Sequence, residues 1–269
     1  MAVTTFKREL WESAIIEAFK EISVADLVTK KPTSMQGSKA IFNTASLTTG
    51  LQDYTGTVDW EAINTTAIEL VFDKKKYYAF SVDDVDRVQL AGDVMLPVCN
   101  QQAEVIKATI DSAIFTEAVA GAKSTNVIGN KTTKKEITTS DECYDYIVDL
   151  GTKLDNAKVP TTNRYIIAPP EFINLLAKDK RVIDNAQVLA NGVVVGMEVN
   201  GMQIIKTTNC PANTVIAMSN VAVGYGKQLE ETEAMRLQGA FADGIRGLVS
   251  YGVKTLQGEG IAVLHYNLA

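Results

Sequence analysis

Hydrophobic and polar residues at the start of the chain follow a helical spacing. This pattern predicts a short helix with one apolar face and one charged face. The apolar positions are Phe6, Leu10, Trp11, Ile15, Ala18 and Phe19. The break at Lys30-Lys31-Pro32 separates this helix from the next element. The apolar face therefore packs either against the body of its own subunit or against another chain.

A strand-like alternation replaces the helical spacing between residues 36 and 73. Polar and apolar residues take turns there, which is the spacing of a strand with one buried face. The alternating segments are residues 40–42, 57–63 and 67–72. Gly50 and Gly56 mark turns between them. The pattern predicts a long β-hairpin that projects from the body and has few local partners for its apolar side.

A further predicted strand, residues 76–82, leads into an acidic run. Aromatic and β-branched residues favour the strand. Asp83, Asp84 and Asp86 follow, in the first turn of a predicted helix, where negative charge meets the positive end of the helix dipole. We interpret these aspartates as helix caps rather than as a metal site or an acid–base site.

The helix after the acidic run is the longest that the sequence predicts. It extends from about Val85 to about Ala120, and Pro97 predicts a kink or a restart within it. One face carries a stripe with spacings of three and four residues, formed by Ala103, Ile106, Ile110 and Ala113. Such a helix is on the order of 50 Å long, which is longer than a small domain is wide. We therefore expect it to act as a strut.

A compact α/β unit is predicted over residues 140–222, after a polar connection over residues 121–139. Ser140 is the expected cap of its first helix, and Pro169-Pro170 opens its second. The predicted strands of the unit are residues 164–168, 202–206 and 214–218. Helices and strands that alternate in this way pack as layers around one core.

Strand character returns in the last fifty residues. Three apolar segments joined by glycine-rich turns cover residues 234–237, 247–253 and 260–266. Each needs a cover for one face, so the sequence predicts three antiparallel strands packed against the long helix. The chain as a whole is predicted to be an α+β protein.

Composition narrows the classes of function. The 269 residues carry a net charge of −6, and the pI near 5.0 argues against a dedicated nucleic-acid binder. The three cysteines form no CxxC pair and are typical of reduced thiols in an intracellular protein. No apolar run reaches the roughly 18 residues of a membrane span, so we expect no membrane partner.

The sequence contains few groups that could carry out catalysis. It lacks the motifs GxSxG, GxxxxGK[ST], HExxH and GxGxxG. Its single histidine, His265, is predicted to lie in the final strand, and Glu230, Glu231 and Glu233 are predicted to form a charged surface turn. We predict no catalytic, cofactor-binding or metal-binding residues, hence no enzyme. An enzyme built on the α/β unit would need a polar pocket and an essential His265.

The residues described so far occur in the order found in one family. The blocks are Phe6…Leu10-Trp11, Ala25–Val28, Asp53–Gly56, Asp73–Asp86, Tyr144–Leu154, Arg164–Pro170 and Arg246–Val253. In this order they resemble the major capsid proteins of tailed bacteriophages with the HK97-like fold. The resemblance covers most of the chain.

The resemblance implies a division of the chain into five parts. They are an N-terminal arm (1–35), an extended loop (36–80), a peripheral domain with the spine helix (81–139), an axial domain (140–222) and returning peripheral-domain strands (223–269). No inserted surface domain is evident, so a scaffold would be a separate protein.

The resemblance also implies a function. The protein would self-assemble, as hexamers and pentamers, into the icosahedral head of a tailed bacteriophage that encloses double-stranded DNA without reading its sequence. Its partners would be scaffolding, portal and head-completion proteins. It would be found in the virion, after assembly in the host bacterial cytoplasm. The alternative on the same fold is an encapsulin-like nanocompartment shell.

Overall fold

The computed structural model describes most of the chain. The described residues are 24–37, 39–46, 64–83, 95–183, 187–188, 194–195, 198–237, 239 and 242–268. The predicted N-terminal helix, the tip of the predicted hairpin and the predicted start of the long helix lie outside these residues.

Five helices and fifteen strands occur within the described residues. The helices are α1 Val24–Val28, α2 Met95–Gly121, α3 Ser140–Asn156, α4 Pro170–Leu176 and α5 Lys180–Ile183. The first strands are β1 Ser34–Gln36, β2 Lys39–Ser46, β3 Asn64–Val71, β4 Lys74–Asp83, β5 Val127–Ile128, β6 Lys135–Ile137 and β7 Arg164–Ala168. The remaining strands are β8 Gln187–Val188, β9 Val194–Val195, β10 Glu198–Val199, β11 Met202–Lys206, β12 Thr214–Ser219, β13 Val223–Arg236, β14 Ala242–Thr255 and β15 Ile261–Leu268.

A mixed seven-stranded sheet forms the centre of the α/β unit. Its order is β10-β11-β7-β12-β15-β5, and β6 also pairs with β15. The central strand β12 is antiparallel to both β7 and β15, so Ile216 lies between Ile167 and Val263. The predicted strands of this unit are confirmed. The polar connection before the unit contributes two short strands, β5 and β6, which the sequence did not indicate.

Both faces of this sheet are buried, and alternate residues enter different cores. In β7, Ile166 and Ala168 join one core, whereas Tyr165 and Ile167 join the other. Strands buried on both faces read as continuous apolar runs, which is how β7, β12 and β15 appear in the sequence. The sheet is therefore the middle layer of three.

Helices α3 and α4 cover the first face of the sheet. The buried stripe of α3 is Cys143, Ile147, Leu150 and Leu154, as its spacing predicts. Its cap is Thr139 rather than the expected Ser140, one residue earlier. The reason is Glu142, whose Oε2 accepts hydrogen bonds from the backbone N–H groups of Thr138 and Thr139 at 2.7 and 3.1 Å. This is the spacing of a capping box.

The long helix α2 covers the second face. Its C-terminal half contributes Ile110, Ile114, Phe115 and Ala118 to a core that also holds residues of β7, β12 and β15. The same core includes Tyr225 of β13 and Tyr251 of β14. The helix therefore packs against the seven-stranded sheet and against a second sheet at once. Its role as a strut stays a prediction, because the predicted first part of the helix lies outside the described residues.

The second sheet, which we call the peripheral sheet, has the order β13-β14-β4 and is antiparallel. Three antiparallel strands against the long helix were expected, but the third strand is a different one. Residues 261–268 pair with β12 in the other sheet, and β4 takes the expected place beside β14. The apolar runs could not reveal this, because the residues of β15 suit a strand buried on both faces in either sheet.

The hairpin formed by β2 and β3 is confirmed, with β1 as a third strand. We expected few local partners for the apolar side of the hairpin, and this expectation is wrong at the root of the hairpin. Ala40, Phe42, Leu70 and Phe72 form a buried cluster at the root of the hairpin. A Cβ added at Gly224 would lie 2.8 Å from Phe42, and one added at Gly226 would lie 2.7 Å from Phe72. The root therefore packs on a patch of the peripheral sheet that lacks side chains.

The third member of this glycine patch is Gly252, the cross-strand partner of Gly226. A Cβ at Gly252 would lie 2.5 Å from the carbonyl oxygen of Val71. Lys254 Nζ also donates a hydrogen bond to the carbonyl oxygen of Glu69, at 3.2 Å. Here the backbone of β3 lies directly on β14, and only glycine permits so close an approach.

His265 lies in the final strand, as predicted, and is buried. Burial lowers the pKa of its imidazole, and the positive charges of Lys131 and Lys134 lower it further. The backbone of Gly129 lies close to His265. A Cβ added at Gly129 would lie 2.9 Å from the His265 carbonyl oxygen. The imidazole is therefore held in its neutral form beneath the loop between β5 and β6.

Gly252→Ala is expected to destabilise the subunit by about 1–3 kcal/mol, because the new methyl group meets backbone rather than a movable side chain. Urea unfolding of the subunit measures the change. Gly244→Ala on the same strand is the matched control, since its Cβ would meet only the end of the Leu237 side chain at 2.8 Å. Equal losses in the two variants would contradict close backbone packing as the cause.

The stability of the fold is expected to decline with acidification because of His265. The unfolded chain binds a proton near pH 6.5, whereas the folded protein binds it only at lower pH, so acid favours unfolding in this window. The free energy of unfolding should fall between about pH 7.5 and pH 5.5. His265→Gln should flatten this part of the profile, and the chain has one histidine, so the difference isolates it. An unchanged slope would contradict the assignment.

Candidate assembly surfaces

The acidic run after β4 lies at an edge of the described residues. The predicted strand over residues 76–82 is confirmed within Lys74–Asp83. The expectation that Asp83 lies in the first turn of a helix is wrong, because Asp83 ends the strand and pairs with Ala242 of β14. The helix is described from Met95. Residues 84–94 lie outside the described part, so the capping role of Asp84 and Asp86 remains a prediction.

His265 is not arranged as a general base. Its Nδ1 lies 3.4 Å from the Thr214 hydroxyl oxygen, which donates its proton to the carbonyl of Ala212 at 3.2 Å. A hydroxyl has one proton to donate, so Thr214 cannot also be activated by the imidazole in this arrangement. Both side chains are buried. The pair has a structural role at the end of the sheet.

The three glutamates predicted as a turn lie within a strand. Glu230, Glu231 and Glu233 belong to β13, which continues from Val223 to Arg236. The pairing with β14 shifts register between Leu229 and Glu231, so an extra residue bulges there. A bulge interrupts the alternation of side chains, and this explains why the segment resembles a turn in the sequence.

Cys143 and Cys210 have no nucleophilic character. Burial raises the pKa of the Cys143 and Cys210 thiols to about 12 in each case. A thiol in such a site stays protonated and behaves as a small apolar group. Both are free cysteines, in agreement with the sequence interpretation.

The described part of the chain contains no candidate metal cluster and no candidate membrane span. Within those residues, no group of three or more His, Cys, Asp or Glu side chains is placed to hold a metal ion. The described helices include none that is long and apolar enough to cross a bilayer.

Several large apolar side chains of the described residues are exposed on the surface of the subunit. The large exposed ones are Leu27, Met35, Val71, Tyr77 and Val105. They are spread over α1, the hairpin, the peripheral sheet and the long helix. Tyr77 is the most exposed, at 81%. The surface therefore offers several separate contact areas.

One contact area lies on the outer face of the peripheral sheet, where the hairpin does not cover it. Tyr77, Ala79 and Leu248 line a cavity of about 470 Å³ there. The rim carries an exposed ion pair in which Arg246 Nη2 lies 2.6 Å from Glu233 Oε2. An aromatic centre with a charged rim has the composition of a protein interface.

Sequence reasoning missed this area, although Tyr77-Tyr78 contains the signal. Adjacent residues of a strand point to opposite faces, so two consecutive aromatic residues place one on each face. Tyr78 is buried and its ring packs over Gly247, the residue opposite it in β14. Tyr77 is consequently on the outer face.

The first described segment is fixed to the body close to the peripheral sheet. Val28 of α1 is fully buried in the core of the long helix. Asp26 pairs with Lys227, with Oδ2 and Nζ 3.2 Å apart. Lys30 then bridges to Gly224 at the edge of β13. The chain is therefore anchored to the body of the subunit at α1.

Two arginine networks join neighbouring elements of the α/β unit, one around the buried Arg164 and one around the partly exposed Arg181. The Arg164 guanidinium donates to Asp155 and to the carbonyls of Val159 and Pro160, at 2.6–2.9 Å. These bonds join the end of α3 to the start of β7, so the turn between them cannot move independently.

The second network joins α5 to α3. Arg181 bonds Asp145 at 2.9 Å and the buried Asp179 at 2.7 Å, and its guanidinium lies 4.2 Å from the centre of the Tyr144 ring. Hydrogen bonds from Arg181 lower the pKa of the Asp179 carboxyl. The unit can therefore act as a rigid block in an assembly.

Comparison with solved structures identifies the fold. A structure from Mycobacterium phage Che8 aligns with a TM-score of 0.69 at 23% identity, over 90% of this chain and 91% of that chain. A capsid structure of the cyanophage P-SCSP1u aligns with a TM-score of 0.70 at 17% identity, over 93% and 89%. A virus-like particle from Pyrococcus furiosus aligns with a TM-score of 0.59 at 14% identity, over 95% and 98%.

Sequence comparison identifies the family. No curated protein matches the chain. The family model described as phage capsid protein matches residues 65–264, which is well over half of the 269 residues and extends from the hairpin to the final strand. The chain therefore belongs to the phage capsid protein family and has the HK97-like major capsid fold.

Proposed function

We propose that this protein builds the icosahedral head of a tailed bacteriophage around double-stranded DNA. The observation that carries the proposal is the phage capsid family match over residues 65–264. That match begins in the second strand of the hairpin, β3, and continues through the long helix and both sheets. Capsid proteins are structural, and self-association into a shell is the activity that this family membership implies.

We propose the same five parts of the subunit that the resemblance implies, with two amendments. We assign residues 1–35 to the N-terminal arm, 36–80 to the extended loop, 81–139 to the peripheral domain, 140–222 to the axial domain and 223–269 to the returning strands. Strand β15 is better assigned to the axial domain, because it pairs with β12. The strands β5 and β6 join it there for the same reason.

The separate apolar areas on the surface support assembly through many modest contacts. Tyr77 and Leu248 lie on the peripheral sheet, whereas Met35 and Val71 lie on the sheet formed by β1, β2 and β3. Contacts at distant points on one subunit can engage several neighbours, and symmetry repeats each of them around the shell. In this proposal the axial domains cluster at five-fold and six-fold positions, as pentamers and hexamers.

The net charge of the subunit is compatible with a shell that encloses DNA without binding it tightly. A net charge of −6 attracts no tight layer of phosphates, so DNA would be enclosed without sequence-specific binding. Separate scaffolding, portal and head-completion proteins are the proposed partners. The proposed site of assembly is the host bacterial cytoplasm, and the assembled protein belongs to the virion.

A second shell function uses the same fold. The similarity to the virus-like particle from Pyrococcus furiosus extends over nearly all of both chains and favours this alternative. An encapsulin-like nanocompartment would enclose cargo protein instead of a genome. The phage interpretation has the stronger support, since the family match is to phage capsid proteins.

Electron microscopy of the purified protein tests the proposal. We expect capsomer rings or uniform closed shells, either from the protein alone or with a scaffold supplied. Shells that contain DNA after infection support the phage head, whereas shells that contain a cargo enzyme support the nanocompartment. A protein that stays monomeric under every condition would contradict both functions.

Deletion of residues 1–20 is expected to impair assembly and to leave the subunit folded. The anchor at Val28 and the Asp26–Lys227 pair remain in the truncated chain, so the body keeps its core. Circular dichroism and urea unfolding report on the fold, and sedimentation reports on assembly. The control replaces Glu9, Glu12 and Glu17 by serine, which keeps the apolar positions of the segment. An unfolded truncated monomer would instead assign the segment to the core.

A further inference from the structure

A groove separates β4 from the N-terminal half of the long helix. Its volume is about 420 Å³. The walls are mainly aromatic and aliphatic, and they include Tyr77, Tyr78, Val105, Ile106 and Val249. Val105 is 57% exposed, whereas Ile106 and Ile110 of the same helix are half-buried and buried. The groove is therefore an apolar surface that lacks a cover among the described residues.

The charged groups at the groove are basic. Lys76 lines it, and Lys74 Nζ lies 6.0 Å from the centre of the ring of Tyr251, another lining residue. The described lining contains no carboxylate. Apolar walls with two lysines favour a segment that is apolar on one face and acidic on the other.

The chain itself contains a segment of this kind. The apolar stripe of residues 6–19 has a helical spacing. Its charged residues are Glu9, Glu12 and Glu17, together with Lys7 and Arg8 in its first turn, so the acidic part is residues 9–19. The segment therefore complements the groove in both hydrophobicity and charge.

The point of attachment also favours this segment. Helix α1 begins at Val24 and packs against the same long helix whose residues form the groove floor. Residues 20–23 can span about 14 Å when extended, and a helix is about 10 Å across. A segment tethered so closely has an effective concentration on the order of millimolar at the groove. A segment from another molecule would have to compete with it.

We propose that, in the free subunit, residues 6–19 dock in the groove between β4 and α2 of the same chain. Trp11 and its apolar neighbours cover Val105 and Ile106, and the glutamates face Lys74 and Lys76. The inference concerns the subunit before assembly and goes beyond the shell function. Docking in the free subunit does not depend on whether the shell encloses DNA or cargo.

Trp11 provides a direct measurement of docking. The chain has two tryptophans, so Trp60→Phe leaves Trp11 as the single reporter. In dilute full-length subunit we expect blue-shifted emission and protection from acrylamide. Val105→Glu places a carboxylate in the groove and should weaken docking by about tenfold or more, because an unpaired charge is excluded from an apolar contact. The emission should then shift to the red and the protection should be lost.

Val71→Glu is the matched control. Val71 is 50% exposed, close to Val105 in residue type and exposure, and it lies on the hairpin outside the groove. Circular dichroism of both variants checks that each is folded. Trp11 should stay protected in Val71→Glu. Equal effects of the two substitutions on Trp11 would overturn the proposal.

Two further measurements show which chain supplies the docked segment and which charged residues it contacts. Protection that is independent of protein concentration indicates docking within one chain, whereas protection lost on dilution indicates a second copy and overturns the proposal. Lys76→Glu should reduce the protection, and reversal of Glu9, Glu12 and Glu17 to lysine should restore it. A Trp11 that is solvent-exposed in the unsubstituted subunit would also overturn the proposal.

Discussion

The packing of one helix face between two sheets is the constraint on which the subunit depends. Ile110, Ile114 and Phe115 of α2 lie in a core built from the seven-stranded sheet and the peripheral sheet together. Each such side chain contributes about 1.5–3 kcal/mol when fully buried. A movement of the helix would expose both sheets at once. The relative orientation of the two sheets is therefore set by the same contacts that stabilise each of them.

The hairpin depends on a different kind of complementarity, in which missing side chains matter. Gly224, Gly226 and Gly252 leave a flat patch on the peripheral sheet, and Phe42 and Phe72 fill the space. Aromatic rings packed directly on a backbone surface make extensive contact over a small area. The root of the hairpin is thus held firmly, and its direction relative to the body is defined there.

Periodicity predicted the local elements well and their partners less well. The buried runs of β7 and β12 and the stripe of α3 were evident, because burial on one or two faces leaves a direct pattern. The partner of β15 was not, since pairing across many residues leaves no local trace. Glu230 was misread because a bulge interrupts alternation. The exposed Tyr77 could have been found from its neighbour Tyr78, whereas the bare glycine patch required the three-dimensional arrangement.

The position of β15 has a consequence for the order of events during synthesis. In chain order, β12 is synthesised before the two long strands of the peripheral sheet, β13 and β14, and its partner β15 is synthesised after them. Until then one edge of β12 has no neighbour, and such edges attract other strands. Contacts between distant parts of a chain also form slowly. The nascent subunit thus passes through a stage at which it is vulnerable to aggregation, and completion of the sheet ends that stage.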